Sequence, residues 1–241
     1  MKRRGALLAA AVIAAAGCDR AGSDRAEAPA AAAGTASDSV SVTAAAGVEV
    51  DGYRREHRID LTGDGRSETV IASAVGAAYD SLTVAVTIVS ERGDTLWHET
   101  WPSLLYFKYD PLEGKADTTV MRIVQSHLEE LVGPDRFTMA GGLPPALSRG
   151  GEPDALMREA VRYHLAELDY RLRVDLTPAD ATPPGAYDRI NADQVSSVRV
   201  NAVVTELKRQ PSFWYYAGGE ATYAIAWSAR ESAFLRIHSC C

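Results

Sequence analysis

The chain has 241 residues, 24% charged and 46% hydrophobic, with a formal net charge of −7. That length supports one ordinary domain with a sizeable core, or two small ones. The acidic balance argues against nucleic acid, whose phosphates call for a basic face, and against adsorption of the folded part to anionic lipid.

In Met1–Gly17, Lys2, Arg3 and Arg4 form a basic head, Ala6 to Ala16 an apolar core, and Ala15-Ala16-Gly17 a small-residue exit directly before Cys18. This is the pattern of a secretory signal peptide. The core is too short to cross a bilayer, which takes about 20 apolar residues. Ala16-Gly17-Cys18 resembles the lipobox of bacterial lipoproteins, with Ala15 where that pattern usually has Leu. The resemblance implies a diacylglycerol on the Cys18 thiol, cleavage before the cysteine, and acylation of the new amine by a chain such as palmitate. Each buried CH₂ contributes about 0.8 kcal/mol, so several chains hold firmly where one does not. The implied partner is therefore a lipid bilayer. The implied location is the cell membrane or outer membrane, with the domain outside the cytoplasm. Asp19 resembles the inner-membrane retention signal of some Gram-negative lipoproteins. Cleavage removes 3 of the 25 basic residues and none of the 32 acidic ones, leaving a mature charge of −10.

Residues 18–49 are rich in Ala, Gly, Ser, Asp and Thr and hold almost no large apolar side chain. Such a stretch cannot bury enough surface to offset its ordering entropy, and it is expected to be a flexible linker. From Tyr53 the apolar period becomes two. Strands are predicted over Tyr53–Asp60, Glu68–Val75, Leu82–Ile88 and Leu96–Trp101. Arg92-Gly93-Asp94 spells an adhesion tripeptide, but in a hairpin turn it reads as turn chemistry. His98 and Glu99 are neighbours in a strand and should point to opposite faces.

The period then lengthens. Asp117 is expected to cap a helix to about Val132, with Met121, Val124, Leu128 and Leu131 on one face. A second helix starts near Pro153 and carries a stripe of Met157, Val161, Leu165, Leu168 and Leu172. His127 and His164 read as packing or surface residues. A loop follows from Pro178 to Gly185. Ala192–Arg209 fits a helix by Val195, Val198, Ala202 and Leu207 and a strand by Val198, Val200, Ala202 and Val204; its Glu206–Arg209 end before Pro211 favours the helix. Strands close the chain at Phe213–Tyr216, Thr222–Trp227 and Ala233–His238. The aromatics of Pro211–Glu220 suit a core better than a glycan surface. The fold class expected over residues 50–241 is α+β: a mainly antiparallel sheet, two or three packed helices and a C-terminal β-hairpin. Residues 50–110 are mostly β, 111–210 mostly α, and 211–241 the hairpin. Whether that hairpin completes the first sheet or builds its own stays open.

The sharpest candidate site is the loop from Asp60 to Glu68. Calcium takes oxygen ligands at alternate loop positions, with Gly at the sixth for the sharp turn. Asp60, Thr62 and Asp64 stand at positions 1, 3 and 5, Gly65 at 6, Arg66 with its carbonyl at 7, and Glu68 at 9. The loop resembles the calcium loops of FG-GAP and VCBS repeats, though it occurs once, with Thr62 and Glu68 where those have Asp or Asn. The other reading is a tight turn in which Asp60 and Asp64 accept backbone N–H groups.

Catalytic signatures are missing: there is no nucleophile elbow, zinc-protease motif or phosphate loop. Export with Cys18 lipidated would leave Cys240 and Cys241 as the thiols able to pair in an oxidising compartment. Rivals are pairing between chains, or a soft-metal site at His238 and Cys240 joined by Tyr223 and Glu220 across the hairpin. The expected function is a non-enzymatic binding or structural module on a membrane anchor, with protein or glycan partner unspecified. The alternatives are an envelope hydrolase and a calcium-dependent adhesion module. A pocket of convergent, perturbed polar groups would favour the enzyme, a flat apolar patch the binder.

Overall fold

The structure is a computed structural model and describes residues 53–76, 82–102, 114–139, 153–217 and 221–240. All belong to one compact unit, Ala44–Cys241. Cys18, the expected linker, Cys241 and the Cys240 side chain lie outside the described residues, and so do the expected lipidation and the expected Cys240–Cys241 disulfide.

Two antiparallel four-stranded sheets and three helices make up the described fold, a mixed α+β architecture with a C-terminal hairpin. Sheet A is a meander of β1 (Arg54–Ile59), β2 (Glu68–Val75), β3 (Thr83–Val89) and β4 (Thr95–Pro102). Alternation decides its faces. Val70, Ala72, Val84, Val86, Ile88, Trp97 and Trp101 are buried on one side, while Thr69, Ser73, Thr83 and Thr87 belong to the other. The β3–β4 turn closes through Gly93 N–H to Ser90 O (2.9 Å) and Ser90 N–H to Asp94 O (2.9 Å), so Arg92-Gly93-Asp94 is turn chemistry.

Sheet B is a second sheet, so the closing hairpin does not complete the first. It runs β5 (Phe137–Thr138), β6 (Ser212–Tyr216), β7 (Thr222–Ser228) and β8 (Ala233–Cys240). Two residues are too short for a readable alternation, so β5 left no sequence signal. One face of sheet B packs on sheet A through rings: Trp101 stacks on Tyr215 at 5.9 Å, Phe213 on Tyr215 at 5.1 Å, Phe137 on Phe213 at 5.1 Å and His57 on Phe137 at 4.6 Å. The opposite face, with Ala224, Ala226, Leu235 and Ile237, is buried with helix residues in a second core.

Helix α1 (Asp117–Leu131) adds Val124, Leu128 and Leu131 to the inter-sheet core, while Met121 is exposed. Asp117 is the first helical residue rather than the cap, since Ala116 holds the cap position without a side-chain bond. Helix α2 (Pro153–Arg173) buries Met157, Val161 and Leu165 on sheet B. Its stripe ends early: Leu172 is 70% exposed, while Tyr170 is buried. Helix α3 is shorter than its pattern, Ser197–Leu207, with a 3-10 turn at Ala192–Gln194 before it. Ser196 accepts the Val198 N–H and starts the helix where the capping oxygen lies. Arg199 ties α3 to Asp169 of α2 (2.8 Å) and to Glu231 of the β7–β8 turn (2.6 Å). Glu206 caps that turn by accepting Ala229 N–H at 2.6 Å.

The hairpin register departs from the expected one near its open end. Ser228↔Ala233 through Ile225↔Arg236 keep it, but a bulge then pairs Ala224 with His238. Tyr223 therefore stands opposite Ser239, not His238, which removes it from the proposed soft-metal set. Glu220 and Cys241 lie outside the described residues.

Phe213 is fully buried between Phe137 and Tyr215 at the centre of the ring stack. Phe213→Ala should cost about 3–5 kcal/mol, read as a lower urea midpoint at unchanged slope. A loss below about 1 kcal/mol would contradict the two-sheet core.

Candidate functional site

The Asp60–Glu68 loop is built as a self-satisfied turn. Asp60 accepts Gly63 N–H through Oδ1 (2.7 Å) and Gly65 N–H through Oδ2 (2.9 Å), and Asp64 accepts Arg66 N–H (2.9 Å). Gly63 and Gly65 take φ of +74° and +84°, values that a side chain would strain. Glu68 does not join Asp60 and Asp64. It is buried, and accepts Leu61 N–H (2.7 Å), Thr62 N–H (3.2 Å) and Thr62 Oγ1–H (3.2 Å). Among the described residues no group of three His, Cys, Asp or Glu side chains is placed to hold a metal ion. Calcium would have to draw Asp60 away from two backbone donors.

A different set converges beside α2. β8 is an edge strand, and at Arg236 its outward N–H donates to Nδ1 of His164 on α2 at 2.6 Å. His164 is 8% exposed and packs edge-on against Trp97 of β4 at 5.3 Å. Because Nδ1 accepts, the neutral ring carries its proton on Nε2. Nε2 lies 3.9 Å from Oε2 of Glu167, one helical turn on, beyond hydrogen-bond range. Burial first, then the charges of Arg236 and Arg171, hold His164 well below the ordinary imidazole range. The His164–Glu167 contact is therefore not an ion pair at neutral pH.

The Arg236 side chain turns toward sheet A. It donates to Oε1 of Glu99 at 2.7 Å and lies over the Tyr223 ring at 4.5 Å, and its Nε is buried without a partner. Tyr215 donates its hydroxyl to the other Glu99 oxygen. Burial raises the Tyr215 phenol well above its ordinary range, with Glu99 adding to the rise. His98, the neighbour of Glu99, points away and meets Thr87 Oγ1 at 2.9 Å, so the two act separately, as alternation requires.

Arg171, one turn past Glu167, shapes the next segment. It bonds the carbonyls of Thr177 (3.1 Å) and Asp180 (3.0 Å) and Thr182 Oγ1 (2.7 Å), pinning residues 177–182 as a strap over the helix end. Between strap, β4 and α2 lies a cavity of about 320 Å³ with Tyr187 at its edge; a second, of about 520 Å³, lies between the first half of α2 and the end of β8. His164, Glu167 and Arg236 line both. Both volumes fall within the roughly 300–1,000 Å³ of ligand pockets.

This constellation has no sequence motif. Glu99, His164, Glu167, Arg171 and Arg236 come from two sheets and a helix, and the one local signal is the i, i+3, i+7 spacing of His164, Glu167 and Arg171 on α2. No protein-family model, no curated protein and no solved structure matches the chain. Among the described residues no helix is long and apolar enough to cross a membrane.

Two predictions follow from these placements. Glu68→Ala leaves three donors without their acceptor, two of them backbone N–H groups, and should cost about 1–3 kcal/mol. Glu68→Gln, which keeps a carbonyl oxygen, should recover part of that in the same chemical melt. An unchanged midpoint in Glu68→Ala would remove the carboxylate from the loop's support. The second concerns pH. His164 has a folded pKa below its unfolded one, so the unfolded chain binds the proton first as pH falls. Its stabilisation is complete above about 6.5 and is lost progressively below that, toward the folded value. His98 and His238, both lowered first by burial, act in the same direction. Melting temperature should fall from pH 7.5 to 5.5. His164→Asn, which keeps an acceptor for the Arg236 N–H, should flatten that slope. An identical slope in the variant would show that His164 is not its source.

Proposed function

We propose that this chain is a lipid-anchored protein of a bacterial cell envelope, and that its folded part binds a small polar ligand in the cleft beside α2. The supporting observation is the state of His164. Its Nδ1 lone pair is spent on the Arg236 N–H, and Nε2 carries the proton. The ring has no lone pair left to take a proton from a substrate. Held neutral, it has no surplus proton to give. General acid–base catalysis needs one or the other. The Thr87–His98 pair sits on the outer face of sheet A, and no carboxylate is bonded to that ring among the described residues. A preformed cavity with convergent polar groups, whose imidazole is neither a free base nor a charged acid, suits binding.

The anchor half of the proposal rests on the basic head, apolar core and Ala16-Gly17-Cys18 exit. Mass spectrometry of the membrane fraction should find the mature chain starting at a lipid-modified Cys18, and Cys18→Ala should leave the membrane. An unmodified N-terminus elsewhere refutes the anchor. For the binding half, the soluble domain is melted against a library of small polar compounds. A ligand at 100 times its Kd adds about 2.7 kcal/mol of stability, seen as a rise of several degrees. Catalytic consumption of any compound would replace the binding reading with the envelope hydrolase, and silence across the library would leave a structural module.

A further inference from the structure

We infer that the ligand is an uncharged polyhydroxy compound, a neutral saccharide, received by His164 and Glu167 in the smaller cavity with Tyr187 at its rim. The inference rests on reading the cleft as a binding site and deepens it by naming the ligand class.

The smaller cavity holds five ionic side chains, three carboxylates and two guanidinium groups, and both cations are already paired. Glu99 holds Arg236 at 2.7 Å, and Glu167 holds Arg171 at 3.4 Å. Asp180 is the fifth, and its Oδ2 accepts Thr177 N–H at 2.6 Å and Thr177 Oγ1–H at 3.0 Å. An anion would enter with no free cation to meet it, and a cation would find only Asp180, already bonded twice by Thr177, or would have to break a largely buried pair. Desolvating a charge or breaking such a pair costs more than a neutral hydrogen bond returns. A neutral ligand meets neither cost.

Two polar atoms of the wall are spaced for a hydroxyl. His164 Nε2–H is a donor and Glu167 Oε2 an acceptor, both in the cavity wall and 3.9 Å apart, too far to satisfy each other. A hydroxyl both accepts and donates. One hydroxyl oxygen between the two atoms accepts from the imidazole and donates to the carboxylate, completing both. A carboxylate ligand would repel Oε2, and an ammonium has no acceptor for Nε2–H. Helix geometry holds the two at i and i+3, and the Arg236 N–H and Arg171 fix them from behind.

The rim carries exposed tyrosines. Tyr187 is 59% exposed and borders the smaller cavity, and Tyr163, 40% exposed, borders the larger. They lie close enough that Tyr187, after burial and Glu167, helps to raise the Tyr163 phenol. Exposed tyrosines offer an apolar ring with a polar tip, which suits a molecule with C–H faces and hydroxyl edges.

The test is calorimetric titration of the soluble domain with four probes: cellobiose and N,N′-diacetylchitobiose as neutral saccharides, glucosamine and glucuronate as charged ones. A neutral probe should bind best. Tyr187→Ala changes only an exposed ring and should weaken that binding several-fold. His164→Asn keeps an acceptor for the Arg236 N–H but removes the Nε2–H donor, and should weaken it about tenfold. Tighter binding of either charged probe overturns the neutral class while leaving the cleft a binding site. Silence from all four probes overturns the saccharide, and the compound library then decides whether the binding reading survives. Binding of a neutral probe that neither variant weakens overturns the assignment of the site.

Discussion

The pairing of Arg236 with Glu99 is the constraint on which the arrangement around the cleft depends. Sheet B is covered on both sides, by sheet A on one and by α2 and α3 on the other. A charge on such a strand has little access to water and must be neutralised where it lies. Glu99 on β4 does this at 2.7 Å, so the pair ties sheet A to sheet B where the cleft opens. Burial works against the Arg236 charge, but Glu99, Tyr215 and Glu167 outweigh it and hold the guanidinium above its ordinary pKa. Removing one partner alone would strand the other, at less than the loss of about 3–5 kcal/mol that follows in a fully buried pair, since the two side chains keep 26% and 17% of their surface exposed.

From that fixed point the position of α2 follows. An edge strand presents unpaired N–H groups, which proteins cover or disrupt to prevent further pairing. Here the Arg236 N–H is covered by His164, and the next step along β8 is bulged. The bulge breaks the alternation, so His238 turns to the same side as Ile237 and borders the larger cavity. One imidazole thus terminates the sheet edge, packs on Trp97 of the other sheet and lines both cavities. Its neutrality is part of the construction: a proton on Nδ1 would displace the strand N–H and add a third cation beside Arg236 and Arg171.

The same bonds that build the wall restrict its chemistry. Most groups usually suspected of catalysis are engaged: Glu99 by Tyr215 and Arg236, Arg171 by the strap and by one oxygen of Glu167, His164 Nδ1 by the backbone. The perturbed titrations arise from burial and mutual pairing, and structural networks perturb pKa values as active sites do. What the network leaves over is a donor and an acceptor of matched spacing, which is the material of recognition. Anchored on a linker, as proposed, such a domain would sample ligand near a membrane without touching it.

Local chemistry made much of the fold legible. Alternating Val and Ile at Leu82–Ile88 and the Met157–Leu165 stripe carry their secondary structure in their spacing, because burial of one face needs only a period. The Asp60 turn was half legible: short-range Asx and glycine chemistry places Asp60 and Asp64, while Glu68 turns inward to hold Leu61 and Thr62. The bulge, the two-residue β5 and the separation of the strands into two sheets have no local signature. The site was not legible at all. Residues 99, 164, 167, 171 and 236 meet only when two sheets and a helix pack, and side-chain spacing along one element cannot encode a distance between elements. Spacing along the chain carries most of the strands and helices and most of the faces they bury, since a period is a local property. Packing between elements is what sets Glu99 against the half-buried Arg236 and His164 against an edge N–H, because satisfying a charge or a donor depends on what lies opposite in space.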